Sequence, residues 1–399
     1  MGLRARLLAN LFFTLALLLG GMQVLLLHWL WVVVLGYEAP PWPLAIGAAL
    51  ALVALNAVLH APLRRARRAG GSAGVVARAY MSVGVVTLLL GLTVSTLWFL
   101  AIPAVLALEV LGIPPELRDG WLRASGNAIL AVAAGMIFWG ATWGQRRVDE
   151  THVRLPLEGL DPRLTGLRIV QLSDLHIGNQ MEGARLDQIV ARVNAQGPDL
   201  IALTGDLFDF DPAHLDEGAR SLGALRARYG VLAVLGNHDT YTGSELVAEA
   251  LARHAPMVRL LRGEVVALPV GAPLHVAGID DPGRLWTDRN LQVPELEALG
   301  PQLPEDGPTI LLVHRPDVVR QAARLGFSLV LSGHTHGGQI ALPGFAARVN
   351  LARVVSNYPS GLFREGSTYL YVNRGAGVAG PAIRIAAGRE VTTIELVPA

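Results

Sequence analysis

Apolar and polar positions divide the chain into two halves that meet near residue 150. From Leu7 to Leu35 no charged side chain occurs. A membrane span needs about 20 mostly apolar residues, so this stretch suffices with some tilt. An Ala-rich second stretch runs from Trp42 to Leu63, broken only by Asn56 and His60. A third runs from Met81 to Leu108 and a fourth from about Ala124 to Trp143. The pattern therefore predicts four spans. The second stretch also fits a re-entrant or interfacial helix. The apolar core of the first exceeds the 7–15 residues of a signal peptide, so it is expected to be retained. Trp42, Trp121, Trp139 and Trp143 fall near span ends, where an interfacial belt places them.

From Thr151 onward short apolar runs alternate with amphipathic stretches and turns rich in Gly, Asp, Asn and His. Apolar runs predict strands at Leu167 to Leu172, Leu200 to Thr204, Val231 to Leu235, Leu274 to Gly278, Thr309 to Val313 and Leu329 to Leu331. Helical spacing appears at Leu186 to Val193, Leu215 to Arg228, Ser244 to His254 and Pro316 to Arg324. The tail is expected to be β at Tyr369 to Asn373 and Val391 to Val397. Strands alternating with helices predict an α/β fold with a central sheet. The expected domains are 1–147, a four-span transmembrane domain, and 148–399.

Composition sharpens this picture. Charged residues make up only 16% of the chain, against about 25% in an ordinary soluble protein. The net charge of +1 gives no argument for nucleic-acid binding, and none is expected. The absence of Cys excludes thiolate ligation, disulfides and thiol catalysis. No Lys occurs either, which excludes Schiff-base chemistry. Arg4 and Arg6, Arg64 to Arg68, and Arg146 with Arg147 make alternate loops basic, while the loops holding Glu38 and Glu116 to Arg123 carry no basic excess. The positive-inside rule then places the N-terminus and everything after residue 145 in the cytoplasm, in a multi-pass inner-membrane protein. Were the second stretch not to span, the second half would be exported. The Arg64 to Arg68 cluster reads as this topology signal rather than as a lipid-headgroup site.

Five predicted strands each run into Asp, Asn or His. The sequels are Ser173-Asp174-Leu175-His176, Gly205-Asp206, Gly236-Asn237-His238-Asp239, His314, and Ser332-Gly333-His334-Thr335-His336. Sites in α/β sheets form at the carboxyl ends of strands, so strands sharing one sheet would bring these side chains together. Imidazole and carboxylate suit borderline divalent metals such as Mn, Fe, Zn or Ni. The donors outnumber what one ion needs, and two ions bridged by a carboxylate would use them. The other histidines (28, 60, 152, 214, 254, 275) lack such a setting and are expected to be structural or exposed.

These ordered blocks resemble the calcineurin-like metallophosphoesterases, over about residues 150–399. Leu172 to His176, Gly333 to Gln339 and Leu370 to Gly375 look most like a membrane-associated bacterial branch that includes enzymes resembling UDP-2,3-diacylglucosamine pyrophosphatase. The resemblance implies a β-sandwich flanked by helices. It implies that Asp174, His176 and His336 bind a first metal, Asn237, His314 and His334 a second, and that Asp206 bridges both. It makes His238 the group that protonates or stabilises the leaving oxygen, with Asp239 orienting it. The implied reaction is hydrolysis of a phosphodiester or pyrophosphate by metal-activated hydroxide, without a covalent intermediate. Arg315 and Arg374 are candidates for a phosphate clamp, with plain ion pairs as the alternative.

The membrane half makes a lipid-linked substrate one expectation. An enzyme on soluble phosphate esters with a passive anchor is another. A transporter or sensor with a regulatory metal domain is a third, supported by few intramembrane polar residues beyond Asn56 and Asn127.

Overall fold

The computed structural model describes residues 3–68, 75–178, 180–283, 292–354 and 356–399. The side chains of residues 3–15, 59–68, 75–78 and 81 lie outside that description, and with them the expectations placed on Arg4, Arg6, His60 and Arg64 to Arg68. The chain divides into two compact units, Met1–Trp139 and Gly140–Ala399.

The first unit is helical: α1 (Leu3–Trp29), α2 (Trp42–Arg68), α3 (Val75–Val110) and α4 (Pro115–Trp139). Three segments are long and apolar enough to cross a membrane: Ala16–Val34, Ser82–Val110 and Pro115–Gly144. The apolar part of α2 among the described residues, Trp42–Val58, is shorter, so the expected count of four spans is not established by length and composition. Small residues let these helices approach closely, as in membrane bundles. A side chain on Gly91 would collide with Met22, and one on Gly20 with Val53. Asn56 is buried and paired: its Nδ2 donates to Gln23 Oε1 (2.9 Å), and Tyr80 donates to its Oδ1 (2.8 Å). Trp29 Nε1 donates to Asn127 Oδ1 (3.1 Å).

The second unit opens with a wide helical turn, Gly140–Gly144, that continues α4. In chain order it then holds β1 (Val148–Leu157), β2 (Arg168–Leu172), α5 (Ala184–Ala195), β3 (Leu200–Thr204), α6 (Leu215–Leu222), β4 (Val231–Val234), α7 (Asn237–Thr242) and α8 (Ser244–His254). There follow β5 (Val258–Leu260), β6 (Glu264–Ala267), β7 (His275–Gly278), α9 (Pro294–Glu297), β8 (Thr309–Leu312), α10 (Val319–Leu325), β9 (Leu329–Ser332), β10 (Gly361–Glu365), β11 (Thr368–Val372) and β12 (Arg389–Pro398).

The strands form two sheets rather than the single central sheet expected from their alternation with helices. One has the order β1-β12-β2-β3-β4-β5 and the other β10-β11-β9-β8-β7-β6. Both are mixed. In the first, β2 to β5 run parallel while β12 is antiparallel to β2; in the second, β6 and β10 are the antiparallel edges.

Strand periodicity explains the layers, since successive side chains point to opposite faces. Ile169, Ala202, Leu232 and Val234 of the first sheet join Ile310, Leu312, Leu329 and Leu331 of the second in one inter-sheet core. The alternate residues Val170, Leu172, Ile201, Leu203 and Ala233 face outward, under α5, α6 and α8. Leu311, Val330 and Leu370 likewise pack beneath α9 and α10. The unit is thus two sheets packed face to face with helices outside them.

Two local expectations change. The helix expected from Leu215 to Arg228 ends at Leu222, and Gly223 at its end lies against the His254 carbonyl with no room for a side chain. Strand β1, with Asp149, Glu150, His152 and Arg154 among its residues, has no apolar run and was not predicted. It holds the sheet edge by pairing with β12 over all ten of its residues.

Candidate metal centre

The five motif-bearing strands are split between the sheets: β2, β3 and β4 in one, β8 and β9 in the other. Their carboxyl ends nevertheless meet, at the seam where the sheets pack. Asp174 and His176 follow β2, Asp206 follows β3, Asn237 and His238 start α7 after β4, His314 follows β8, and His334 and His336 follow β9. The turns are unusually tight. Asp174, His176, Asp206, His334 and His336 all have φ between 48° and 71°, a left-handed backbone seldom used outside glycine. Neighbouring glycines make room: a side chain on Gly236 would overlap the Asp206 carboxylate, and one on Gly333 the Asp174 carboxylate.

The donors face one another across short gaps. His336 Nε2 lies 3.2 Å from Asp174 Oδ1 and 3.0 Å from His176 Nε2. Asp206 Oδ2 lies 3.1 Å from His314 Nε2 and 3.6 Å from His176 Nε2. His334 Nδ1 stands 3.2 Å from His314 Nε2. Three groups, Asp174-His176-His336, His176-Asp206-His238 and Asp206-His314-His334, keep their ligand atoms within 4.8 Å of one another. Asn237 is buried nearby, and its Oδ1 has no hydrogen-bond partner.

Residues 167–338, which include all these side chains, match the family model described as Calcineurin-like phosphoesterase. The metallophosphoesterase YkuE of Bacillus subtilis is 32% identical over 275 residues, covering 67% of this chain and 93% of that one. The chain belongs to the calcineurin-like phosphoesterase family. Members of this family are metal-dependent phosphoester hydrolases. A metallophosphoesterase of Campylobacter jejuni is 36% identical over 58% of this chain, and a Danio rerio transmembrane protein with a metallophosphoesterase domain is 35% identical over 67% of it. The chain spans 59% and 61% of the length of those two relatives.

In this member of the family the imidazoles are oriented from behind. His314 Nδ1 donates to the Thr204 carbonyl (2.9 Å), which turns Nε2 toward Asp206. His176 Nδ1 lies 3.3 Å from Asp209 Oδ1, leaving its Nε2 for the site. Protein groups alone make the centre a place for positive charge. Burial opposes a charge on His314, but Asp206 beside it raises that histidine to about 10. Burial works to raise Asp206, and the charges of His314 and His238 overrule it and hold the carboxyl well below its usual range. Burial lowers His336 to about 4, and burial with the charge of His314 lowers His334, so both are neutral imidazoles suited to ligation.

One expected partnership is overturned. Asp239 does not orient His238. Its buried carboxylate accepts from the backbone N–H groups of Leu207 (3.1 Å), Phe208 (2.8 Å) and Gly236 (2.8 Å). Burial and then the charge of Asp206 push Asp239 up to about 7. The partner of His238 is Asp209, 2.5 Å from its Nδ1. The signal for Asp209 was its place three residues after Asp206, within reach of the same turn.

The phosphate-clamp candidates are ion pairs. Arg315 makes a buried two-point contact with Asp281 at 2.6 and 3.1 Å. Arg374 is held by Glu390 (3.2 Å) and Asp149 (3.3 Å). No motif announced Arg384, which is buried behind His336 with a guanidinium nitrogen 3.2 Å from its Nδ1. Among the other histidines, His214 faces Glu182, His254 faces Asp216 and His275 faces Asp306, as structural roles require.

Proposed function

We propose that the chain is a membrane-anchored phosphohydrolase that cleaves phosphodiester or pyrophosphate bonds with two divalent cations drawn from Mn, Fe, Zn and Ni. Asp174, His176 and His336 would hold one, Asn237, His314 and His334 the other, with Asp206 shared. The position of Asp206 carries this reading, because one carboxylate oxygen faces His314 at 3.1 Å and His176 at 3.6 Å. The lone Oδ1 of Asn237 supports it, since a buried acceptor without a partner costs about 1–3 kcal/mol. Bound there, divalent cations supply charge to offset that of the phosphoryl oxygens and make a coordinated water acidic.

The remaining chemistry belongs to protein side chains. His238 is only partly buried, and Asp209 at Nδ1 fixes its tautomer and frees Nε2 for substrate. It is placed to give a proton to the leaving oxygen. No Cys or Lys nucleophile is needed, and the sequence has neither.

Membrane attachment is supported by the three apolar helices and by the relatives whose names describe them as transmembrane proteins. We take α2 as the fourth span, because its buried Asn56 is hydrogen-bonded to Gln23 rather than left bare to lipid. An even count with basic flanks at Arg4, Arg64 and Arg146 puts the catalytic unit on the cytoplasmic face of the inner membrane.

The test uses the full chain purified in detergent. Metal analysis should find two equivalents, and a generic aryl phosphodiester should be hydrolysed with added manganese. Asp206→Ala should remove both activity and metal while the protein still unfolds cooperatively. Full activity in that variant would sink the assignment. A panel of lipid-linked sugar-nucleotide pyrophosphates, phospholipids and soluble nucleotides would then rank substrates.

A further inference from the structure

We propose that the segment between residues 340 and 354 is a bilayer-docking surface that holds the metal centre at the level of the lipid headgroups. The corollary is that the phosphoester cleaved is carried by a membrane lipid, and this corollary rests on the hydrolase reading above.

The segment lies just beyond the family-matched residues 167–338. It exposes large apolar side chains that a soluble surface would hide: Leu342 at 48%, Phe345 at 58%, Val349 at 53% and Leu351 at 53%. Elsewhere in the unit such residues are scattered; here they crowd into ten positions. Contiguous exposed apolar surface of this kind marks an interaction site. The segment is a formed structure. Leu342 N donates to the Val349 carbonyl (2.9 Å), Phe345 N to the Leu342 carbonyl (2.9 Å), and the Arg353 guanidinium to the Ala347 carbonyl (3.0 and 3.1 Å).

Charge and position both select a bilayer as occupant. From Ile340 to Ser360 there is no Asp or Glu, while Arg348 and Arg353 supply positive charge. Apolar side chains beside arginines match the boundary between acyl chains and anionic headgroups. The base of the segment is tied to the end of a candidate span. Ala341 N donates to the Ile385 carbonyl (2.9 Å), and Ile340 bridges Ile385 and Ala386. The next residue back, Arg384, donates its backbone N–H to the carbonyl of Gly140 (3.1 Å), and Gly140 packs so closely on Ile385 that a side chain there would collide. Gly140–Gly144 is the final turn of the span Pro115–Gly144, and its Trp143 is 60% exposed, as interfacial tryptophans are.

The metal centre is joined to the same point. The Arg384 guanidinium donates to the carbonyls of Arg374 (2.9 Å), Gly377 (2.8 Å) and Ala387 (2.9 Å) and touches His336. Span end, docking segment and metal ligand thus meet at Arg384 and Ile385.

The native chain has no Cys, so single-cysteine labelling of the full-length protein is direct. Phe345→Cys and the control Met257→Cys would each carry an environment-sensitive fluorophore in vesicles of phosphatidylethanolamine and phosphatidylglycerol. The label at 345 should be quenched by spin-labelled lipid and shielded from aqueous iodide, and the label at 257 should behave oppositely. Equal iodide quenching at both positions, without lipid quenching at 345, would overturn the proposal. As a second arm, Leu342→Asp with Phe345→Asp should lower kcat/KM on a vesicle-borne phosphodiester by about tenfold or more while leaving a soluble aryl phosphodiester within about twofold. Equal loss on both substrates would overturn docking as the reason for the segment. Lipid quenching at 345 in the labelled Phe345→Cys protein, with neither substrate hydrolysed by the unlabelled parent, would sustain the docking surface and refute the hydrolase reading.

Discussion

An oxygen of the Asp209 carboxylate lies 2.5 Å from Nδ1 of His238, and the same oxygen lies 3.3 Å from Nδ1 of His176. One half-buried carboxylate therefore sets the orientation of a candidate metal ligand and of the candidate proton donor. Burial works to raise Asp209, yet its bonds to His176 and His238 hold it well below the ordinary carboxylate range. Asp209→Asn should keep the shape and lose the charge. Such outer partners typically matter by about 10–100-fold in metal affinity or activity. We expect a fall of that size in kcat, together with a displaced acidic limb in the pH–rate profile, which a purely structural role would leave in place.

Asp239 acts differently. It holds the Leu207, Phe208 and Gly236 amides, and so fixes the backbone on either side of the Asp206 turn. Asp239→Ala would leave three buried donors without partners, at a cost of about 2–3 kcal/mol. The loss should show in denaturant titration of the full chain. A variant as stable as the parent, but with its activity gone, would restore Asp239 to the catalytic set.

Gly236 has φ −93° and ψ −177°, a conformation any residue adopts. Alanine there meets no torsional strain, but its Cβ would overlap both the Asp206 carboxylate and the Asp206 backbone nitrogen. Gly236→Ala should therefore displace the Asp206 turn, weakening metal binding and lowering stability together. Metal analysis after dialysis should show loss from the variant at a cation concentration that saturates the parent, and unchanged occupancy would contradict the role given to Asp206.

Much of this was legible in the chain because the sheet interiors are pure apolar runs. Leu200–Thr204 and Ser244–His254 have the predicted bounds, and the other site strands differ by a residue or so. The convergence of Asp, Asn and His was legible too, since each follows its strand directly. What periodicity could not show was which strands pair. The site strands fall in two sheets, and only the packing of Ile169 and Ala202 against Ile310 and Leu331 brings their ends together. Strand β1 hid because an edge strand can be half charged. The partner of His238 was misassigned because adjacency in sequence favours Asp239, while the turn after Asp206 delivers Asp209 instead.

Glu390 supplies a stability test away from the metal. Its buried carboxylate accepts from Thr151 (2.6 Å), Tyr371 (2.9 Å) and Arg374 (2.9 and 3.2 Å). Burial works to raise it, and the Arg374 charge wins and holds it below the usual glutamate range. A carboxyl lowered in the folded state adds stability above its unfolded pKa and loses it as pH falls through the folded one. Glu390→Gln should cost about 3 kcal/mol at neutral pH, as the breaking of a buried pair does. The gap between parent and variant should narrow below about pH 4, where the unfolded carboxyl is protonated. Denaturation midpoints measured across that range would check both the size and the sign.

Metal removal should destabilise the catalytic unit as well as silence it. Asp174, Asp206 and Asp239 are buried around one centre, with Asp209 at its edge. Asp174, His176, Asp206, His334 and His336 hold left-handed backbone, which Asp and His adopt more readily than most residues but still at a cost. Cations bound between the carboxylates would offset their mutual repulsion and fix the strained turns. A ligand that binds only the folded state at a hundredfold excess over its Kd stabilises it by about 2.7 kcal/mol. Chelation should therefore lower the thermal midpoint, and added manganese should restore it in proportion to occupancy. Asp206→Ala separates this from non-specific salt effects, because it removes the carboxylate proposed to be shared. In that variant the manganese response should disappear. A midpoint indifferent to chelation in the parent, or equally responsive in the variant, would place the stabilising cations elsewhere in the chain.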